Sequence, residues 1–232
     1  MQRPIALLTG ATGGIGECLA GTLDNLGYAC AFVSRTEEKL QKLREKLGDV
    51  HRVFTCDFSD LRAVGSLVEG VVAEMGGLDV LVNNAGIGGG GALHEADPAR
   101  IHDAFHINTL AGIALMRDAA PYLFKSQDAA IINIVSIAGQ HLGKGAGAYA
   151  ASKHAMLAAS HSAFEDMRAE GVKVCAICPG MVATPMTAEA DADASKMLQP
   201  SDIAYAMKFA LQFPRSGCPV EITLRPQFDA TL

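Results

Sequence analysis

Tyr149 and Lys153 stand four residues apart in AYAASKHAMLAAS, a segment that reads as helix, so a phenol and an ammonium share one face a turn apart. A phenol has a reference pKa of about 10 and gives up its proton reluctantly at neutral pH. A cation nearby stabilises phenolate and brings the group towards the range that acid–base catalysis requires. Thirteen residues upstream, Ser136 ends the apolar run IINIVS, where a hydroxyl can reach the same cavity. A lone Tyr-x-x-x-Lys is common on helices and individually worth little; a serine that reaches the same cavity from a strand end adds to it.

A second chemical signal lies near the start, in TGATGGIG from Thr9 to Gly16, four glycines in eight residues. It follows the apolar run IALL and precedes a helical pattern. Gly10 permits a tight turn, while Gly14 and Gly16 let main chain approach a pyrophosphate and pack the helix closely on a sheet. The helix start then offers free N–H groups and a positive dipole end to phosphate.

These residues need a scaffold, and the chain supplies an alternating one. Strand-like runs cover Ile5–Thr9, Ala29–Ser34, Arg52–Cys56, Leu78–Asn83, Ala130–Ser136, Val172–Cys178 and Val220–Leu224. Most are apolar on nearly every residue, as strands covered on both faces must be; the last alternates, as suits an edge. Between them, Ile15, Leu19, Leu23 and Leu26 share a helical face that Gly27 ends. Asp97-Pro98 caps and opens a long helix to about Phe124, another runs from about Ala148 to Glu170 and stops at Gly171, and Ser201-Asp202 begins a last one. Such alternation predicts an α/β fold, a doubly wound parallel sheet of about seven strands with helices on both faces. With 232 residues and no linker, one domain spanning residues 1–232 is expected.

The glycine spacing is Gly-x-x-x-Gly-x-Gly, and at this point the chain resembles the short-chain dehydrogenase/reductase family. Asn83-Asn84-Ala85-Gly86 matches the family's NNAG, Asn108, Ser136, Tyr149 and Lys153 match its catalytic set, and Pro179-Gly180 with Thr184 matches its nicotinamide-side loop. The matches run in order over about Thr9–Pro185. The resemblance implies a single Rossmann-type domain with a substrate lid at about residues 184–199. It implies that Tyr149 exchanges the proton, Ser136 orients the substrate oxygen, and Lys153 holds the nicotinamide ribose and tunes Tyr149. Asn108 would hold a water continuing the proton path, where the long helix is locally distorted. It further implies that Gly10, Thr12, Gly13, Gly14, Ile15, Gly16, Asp57, Phe58, Asn84, Ala85, Gly86, Pro179, Gly180, Val182 and Thr184 contact a dinucleotide. Asp57 alone also reads as a helix cap, a job open to Ser59.

The second strand ends in AFVSRTEEKL. A carboxylate there would hold the ribose hydroxyls of NAD, whereas an arginine accommodates a 2′-phosphate. Here Ser34 takes the acid's place and Arg35 follows, so NADP(H) is expected over NAD, with Thr36 able to add a hydroxyl. Arg35 also fits the start of a solvated helix with Glu37 and Glu38 in its first turn. Many NADP-using relatives carry a base just before the second motif glycine; this chain has Gly13 there.

The totals narrow the partners. Half the residues are hydrophobic and 19% are charged, as in a well-buried globular chain. A net charge of −6 without a basic cluster argues against nucleic acid or an anionic membrane. No run approaches the roughly 18 apolar residues of a membrane span, and no signal peptide is evident, so a cytoplasmic location is expected. Six scattered cysteines read as reduced thiols. Cys175 and Cys178 mimic a redox pair but sit in a strand, where residues three apart face opposite ways. His102 and His106 lie four apart without a third ligand, so no metal is expected. His154 and His161 read as helix surface, and Gln140 and His141 as substrate-pocket or ordinary loop residues.

The function expected from the resemblance is an NADP(H)-dependent oxidoreductase interconverting a small ketone, aldehyde or keto acid and its alcohol. The alternatives are a 3-oxoacyl-carrier reductase and a non-catalytic NADP-binding sensor or scaffold. The lid, TAEADADASKML at its heart, is small and acidic, which disfavours a long acyl chain or an anionic substrate. The terminus VEITLRPQFDATL departs from the glycine-rich ending of many relatives. In relatives the two long helices pair across a twofold axis, so a homodimer or homotetramer is expected; their alanines equally suit packing on the sheet.

Overall fold

The computed structural model describes residues 3–89, 91–143, 145–188 and 192–228. Strands β1 (Ile5–Thr9), β2 (Ala29–Ser34), β3 (Arg52–Thr55), β4 (Val80–Asn83), β5 (Ala130–Ile134), β6 (Lys173–Pro179) and β7 (Glu221–Leu224) form one seven-stranded sheet in the order β3-β2-β1-β4-β5-β6-β7. Every neighbouring pair is parallel. The order reverses beside β1, where β2 leaves on one side and β4 lies on the other. In open α/β sheets the crevice at that reversal, beyond the carboxyl ends of the strands, is where ligands bind.

Helices α1 (Gly14–Asn25), α2 (Glu37–Leu47) and α7 (Pro200–Gln212) cover one face, and α3 (Leu61–Met75), α5 (Ala111–Leu123) and α6 (Gly147–Met167) the other. The two apolar layers share the strands alternately: Leu8, Phe32 and Ile132 enter one core, Leu7, Val33 and Ile131 the other. Cys175 and Cys178 fall on opposite faces, and all six cysteines are free. The alternation read in the last strand is that of the edge strand β7.

Three local features refine the sequence reading. The long helix from Asp97 is not uniform: α4 (Pro98–Phe105), capped by the Asp97 carboxylate, passes through a π-helical turn at His106–Leu110 before α5. Such turns widen the helix by one residue per turn and recur at functional sites. The last helix begins at Pro200, because the Asp202 carboxylate reaches back to accept the Gln199 N–H at 2.8 Å. Helix α3 is capped by Asp60, which accepts the Arg62 N–H at 2.9 Å, and by neither Asp57 nor Ser59.

Buried polar groups lock the sheet to the helices beneath the reversal. Asn83 donates to Asn133 Oδ1 at 2.9 Å, Asn133 donates to Ser160 Oγ at 2.9 Å, and Ser160 donates to the Met156 carbonyl at 2.7 Å. This ladder ties β4 and β5 to α6, the helix that carries Tyr149. Among the described residues, no helix is long and apolar enough to cross a membrane.

Candidate active site

The glycine loop turns at Gly10, whose φ of +63° lies in the left-handed region, with Ala85 so close that a Cβ would come within 2.9 Å of its Cα. At Gly16 a Cβ would fall 2.1 Å from the Gly10 carbonyl oxygen, so only glycine lets α1 start this near the loop. Gly13 precedes α1 and offers no side-chain cap, which leaves the first-turn amides to the crevice. Thr9 and Asn84 hold the loop in place. The Thr9 hydroxyl accepts the Asn84 and Ala85 N–H groups at 2.9 and 3.0 Å, and Asn84 Nδ2 donates to the Thr9 and Gly10 carbonyls at 3.0 and 3.1 Å.

Over this loop lies a cleft of about 430 Å³. The glycine-loop residues Gly10, Thr12, Gly13, Gly14, Ile15 and Gly16 line it, as do Ser34, Arg35, Asp57 and Phe58 and the first part of the β4 loop, Asn84, Ala85 and Gly86. At its far end the exposed Arg35 faces the cleft, and the Ser34 hydroxyl accepts the Thr36 N–H at 3.3 Å. Asp57 stands opposite. Its carboxyl is held below the ordinary range mainly by the Ser59 N–H and hydroxyl, at 3.0 and 2.8 Å, with Arg35 adding to the effect. The sequence reading missed Lys39. It follows Arg35 by one turn, on α2, and lines the same cleft. Among the described residues neither cation is in an ion pair, so both are free to meet an anion.

The cleft continues, past Ile15, Asn84, Gly86, Ile87 and Thr184, into an inner chamber of about 120 Å³. Ser136, Tyr149, Lys153, Pro179, Gly180 and Val182 line it. Ser136 Oγ accepts the Ala138 N–H at 3.0 Å, which occupies a lone pair and leaves its hydrogen to donate into the chamber. Lys153 is buried, donates to the Ile134 carbonyl at 3.2 Å, and lies 5.8 Å from the centre of the Tyr149 ring. Burial brings its ammonium down to about 8. Burial also pushes the Tyr149 phenol above its ordinary value, opposed by the Ser136 hydroxyl. Raised in this way, the phenol keeps its proton at neutral pH and can donate it.

Asn108 lies in the π-helical turn, behind the chamber wall. Its Oδ1 accepts the Ile87 N–H at 2.8 Å, and its Nδ2 donates to the Ile87 carbonyl and to Ser152 Oγ, both at 3.1 Å. Ser152 in turn donates to the Tyr149 carbonyl at 2.7 Å. The distortion expected near Asn108 thus joins the β4 loop to the turn of α6 that bears the phenol. Ser152, buried beside Lys153, was unforeseen; a serine inside a helix gives no signal of its partner.

The lid begins at Thr184, whose N–H is accepted by Thr187 Oγ1 at 3.1 Å while Thr187 donates to the Val182 carbonyl at 2.6 Å. Its two ends are pinned together by Ala183 N–H to the Leu198 carbonyl, 2.8 Å, and Leu198 N–H to the Met181 carbonyl, 3.0 Å. Of the acidic stretch Glu189–Asp193, residues 189–191 lie outside the described residues. Gln140 does not line the chamber: its amide is turned to Glu221 and Thr223 on β7, at 2.5 and 2.6 Å, and Glu221 also pairs with His161 at 3.1 Å. His141 is exposed and His154 bonds its own helix at the Ala150 carbonyl, 2.9 Å. The His102 and His106 rings stack at 3.9 Å, and among the described residues no group of three potential ligands surrounds them.

Residues 4–195 match a family model described as short chain dehydrogenase. An uncharacterized oxidoreductase of Staphylococcus epidermidis is 30% identical, over 97% of this chain and 98% of its own. Another, of Staphylococcus saprophyticus, is 33% identical over the same shares. A metagenomic short-chain oxidoreductase crystallised in complex with NADP is 31% identical, with a TM-score of 0.84 over 97% of this chain and 98% of that one.

Proposed function

The chain belongs to the short-chain dehydrogenase family, and from that premise we propose that it is an NADP(H)-dependent oxidoreductase interconverting a small carbonyl compound and its alcohol. The observation that carries this reading is the continuous groove, with Arg35 and Lys39 at one end and Ser136, Tyr149 and Lys153 at the other. Its glycine loop fits a dinucleotide pyrophosphate, since Gly10 and Gly16 leave no space for a side chain and the α1 amides are uncapped. Arg35 and Asp57 would hold the adenosine ribose end, and Arg35 and Lys39 a 2′-phosphate. Pro179, Gly180, Val182 and Thr184 would hold the nicotinamide end.

Bound NADPH supplies a hydride to the carbonyl carbon, and NADP⁺ accepts one in reverse. Tyr149 gives its proton to the carbonyl oxygen as C=O becomes CH–OH, or takes that proton when the alcohol is oxidised. Ser136 donates a hydrogen bond to the same oxygen and fixes its place. Lys153 holds the nicotinamide ribose and provides positive charge beside the phenol. Asn108 fixes the wall behind them and holds the water that returns the proton to Tyr149. The protein works as a homodimer or larger, through the π-helical turn, α5 and α6, which expose Leu110, Ile113, Ala151 and Ala158.

The test is a panel of aldehydes and ketones followed at the NADPH absorbance, with NADH in parallel. Turnover with NADPH preferred at least tenfold in kcat/KM is expected; equal kcat/KM for the two would contradict the assignment of Arg35.

A further inference from the structure

The sheet ends at β3, an edge strand held by β2 alone, from Ala31 opposite Arg52 to Ser34 opposite Thr55. None of its four residues is buried; the buried anchors flank it, His51 before and Cys56 after. Such an element opens more readily than the strands at the centre of a sheet. At its carboxyl end the pair is closed by main chain, the Cys56 N–H donating to the Ser34 carbonyl at 3.0 Å. At its amino end it is closed by a side chain: the Cys30 N–H donates to Nδ1 of His51 at 3.1 Å. The His51 ring is fully buried and stacks on Phe32, with ring centres 4.8 Å apart.

That bond fixes the state of the ring. A main-chain N–H can only donate, so Nδ1 carries a lone pair and the neutral ring keeps its hydrogen on Nε2. The second proton of an imidazolium has Nδ1 as its only place, and there it would face the Cys30 N–H. Protonating His51 and keeping this bond therefore exclude each other, and breaking it in place would leave a buried donor unpaired. Asp24 of α1 has its Oδ1 3.3 Å from Nε2 and favours the charged ring, while Arg3, before β1 and 3.6 Å from the same oxygen, opposes it. The end of α2 presents the Leu47 carbonyl, and β2 the Cys30 thiol, kept protonated by burial. Desolvation outweighs Asp24 and holds the ring's pKa below its ordinary value. The two strands joined by this bond run on to the cofactor groove, β2 into Arg35 and β3 towards Asp57.

Resting on the cofactor reading above, we propose that His51 is an acid-operated latch: its protonation releases the amino end of the β2–β3 pair and loosens the adenosine end of the groove, and bound NADPH holds the pair closed. The released ring takes up the proton first, so opening grows as pH falls. The test is amide hydrogen exchange, corrected for intrinsic rates, with 15N spectra of the histidine rings on the same protein. Without cofactor, Cys30 should be at least tenfold less protected than Leu8 and Ile132 of the central strands, since only the edge opens. From pH 7.5 to 5.5 its protection should fall at least threefold further in the unmodified protein than in His51→Asn, whose side-chain oxygen can accept the same N–H and does not titrate. Saturating NADPH should raise it at least tenfold at pH 5.5. Equal protection at the three sites, an equal fall in both proteins, or an imidazolium signal from His51 with Cys30 still protected would overturn the latch, the first and last without any variant. Acid opening that bound NADPH leaves unchanged would overturn its coupling to the groove. Absence of NADPH binding at pH 7.5 would overturn the cofactor reading and that coupling, while the latch still stands or falls on exchange without cofactor.

Discussion

At the glycine-loop end of the groove the walls are main chain, held by hydrogen bonds from Thr9 and Asn84 and by contacts that admit no Cβ at Gly10 or Gly16. At the inner chamber the walls are mostly side chains, among them Ile87, Ser136, Tyr149, Val182 and Met186, carried on α6 and on the loops after β4, β5 and β6. The first region has almost no freedom to vary, because every change meets backbone. The second can exchange one apolar residue for another without disturbing a strand. One end of the groove is built for a single kind of ligand, and the other for a ligand whose identity the loops decide.

Substitutions at the rigid end should therefore cost most. In Gly16→Ala the new Cβ would meet the Gly10 carbonyl oxygen at 2.1 Å, a backbone clash that no rotamer relieves. Overpacking costs about 1–3 kcal/mol and more where backbone is met head on; a contact this short stands at or above the upper end, so NADPH binding should fall at least a hundredfold, measured by quenching or calorimetry. Binding unchanged within twofold would mean that the loop is not a ligand cradle.

A smaller effect is expected at the adenosine end, where side chains meet the ligand. Hydrogen bonds to charged groups contribute about 1.5–3 kcal/mol, so Arg35→Ala should lower the NADPH-over-NADH ratio of kcat/KM by roughly 10–150-fold. Lys39→Ala should lower it less, since Lys39 sits one turn further along α2. A larger loss in the lysine variant would reverse the order of the two cations.

pH separates the groups of the inner chamber by a few fold. Lys153 is held at about 8 by burial, and Tyr149 is pushed above its ordinary value. Carbonyl reduction needs the phenol protonated and the ammonium charged, so kcat/KM should fall as pH rises through about 8, following Lys153. A fall that began only above pH 10 would assign the titration to the phenol instead.

The smallest effect lies at the opposite edge of the sheet. His51 is fully buried and accepts the Cys30 N–H at 3.1 Å, with its Nε2 3.3 Å from Asp24, and burial lowers its pKa. The unfolded chain then binds the extra proton first, so stability is complete above about pH 6.5 and is lost as pH falls below it. Unfolding in urea should show lower stability at pH 5.5 than at pH 7.5, and the difference should shrink in His51→Asn.

The same contrast explains what the sequence made readable. The order of strands and helices follows from runs of apolar residues and from Gly27, Pro98 and Gly171, whose effects are local. The glycine loop and the Tyr149–Lys153 pair were readable because fixed spacing along the chain becomes fixed geometry in a helix or turn. Lys39, Ser152 and the Thr9–Asn84 bonds were not, since their partners are set by which strands pair. The choice for Gln140 between pocket and ordinary loop was left open for the same reason: its partners Glu221 and Thr223 lie more than eighty residues on, across the sheet. The π-helical turn at Asn108 was expected only from family resemblance, as nothing in HINTL breaks a helix.

The measurement that bears most directly on the central claim is single-turnover reduction of a neutral aldehyde by NADPH in Tyr149→Phe, with NADPH affinity determined on the same preparation. Acid–base catalysis by a placed side chain contributes about 10²–10⁴-fold, so the rate should fall at least a hundredfold while affinity stays within twofold. A variant that binds NADPH normally and reduces the aldehyde at the full rate would contradict the account.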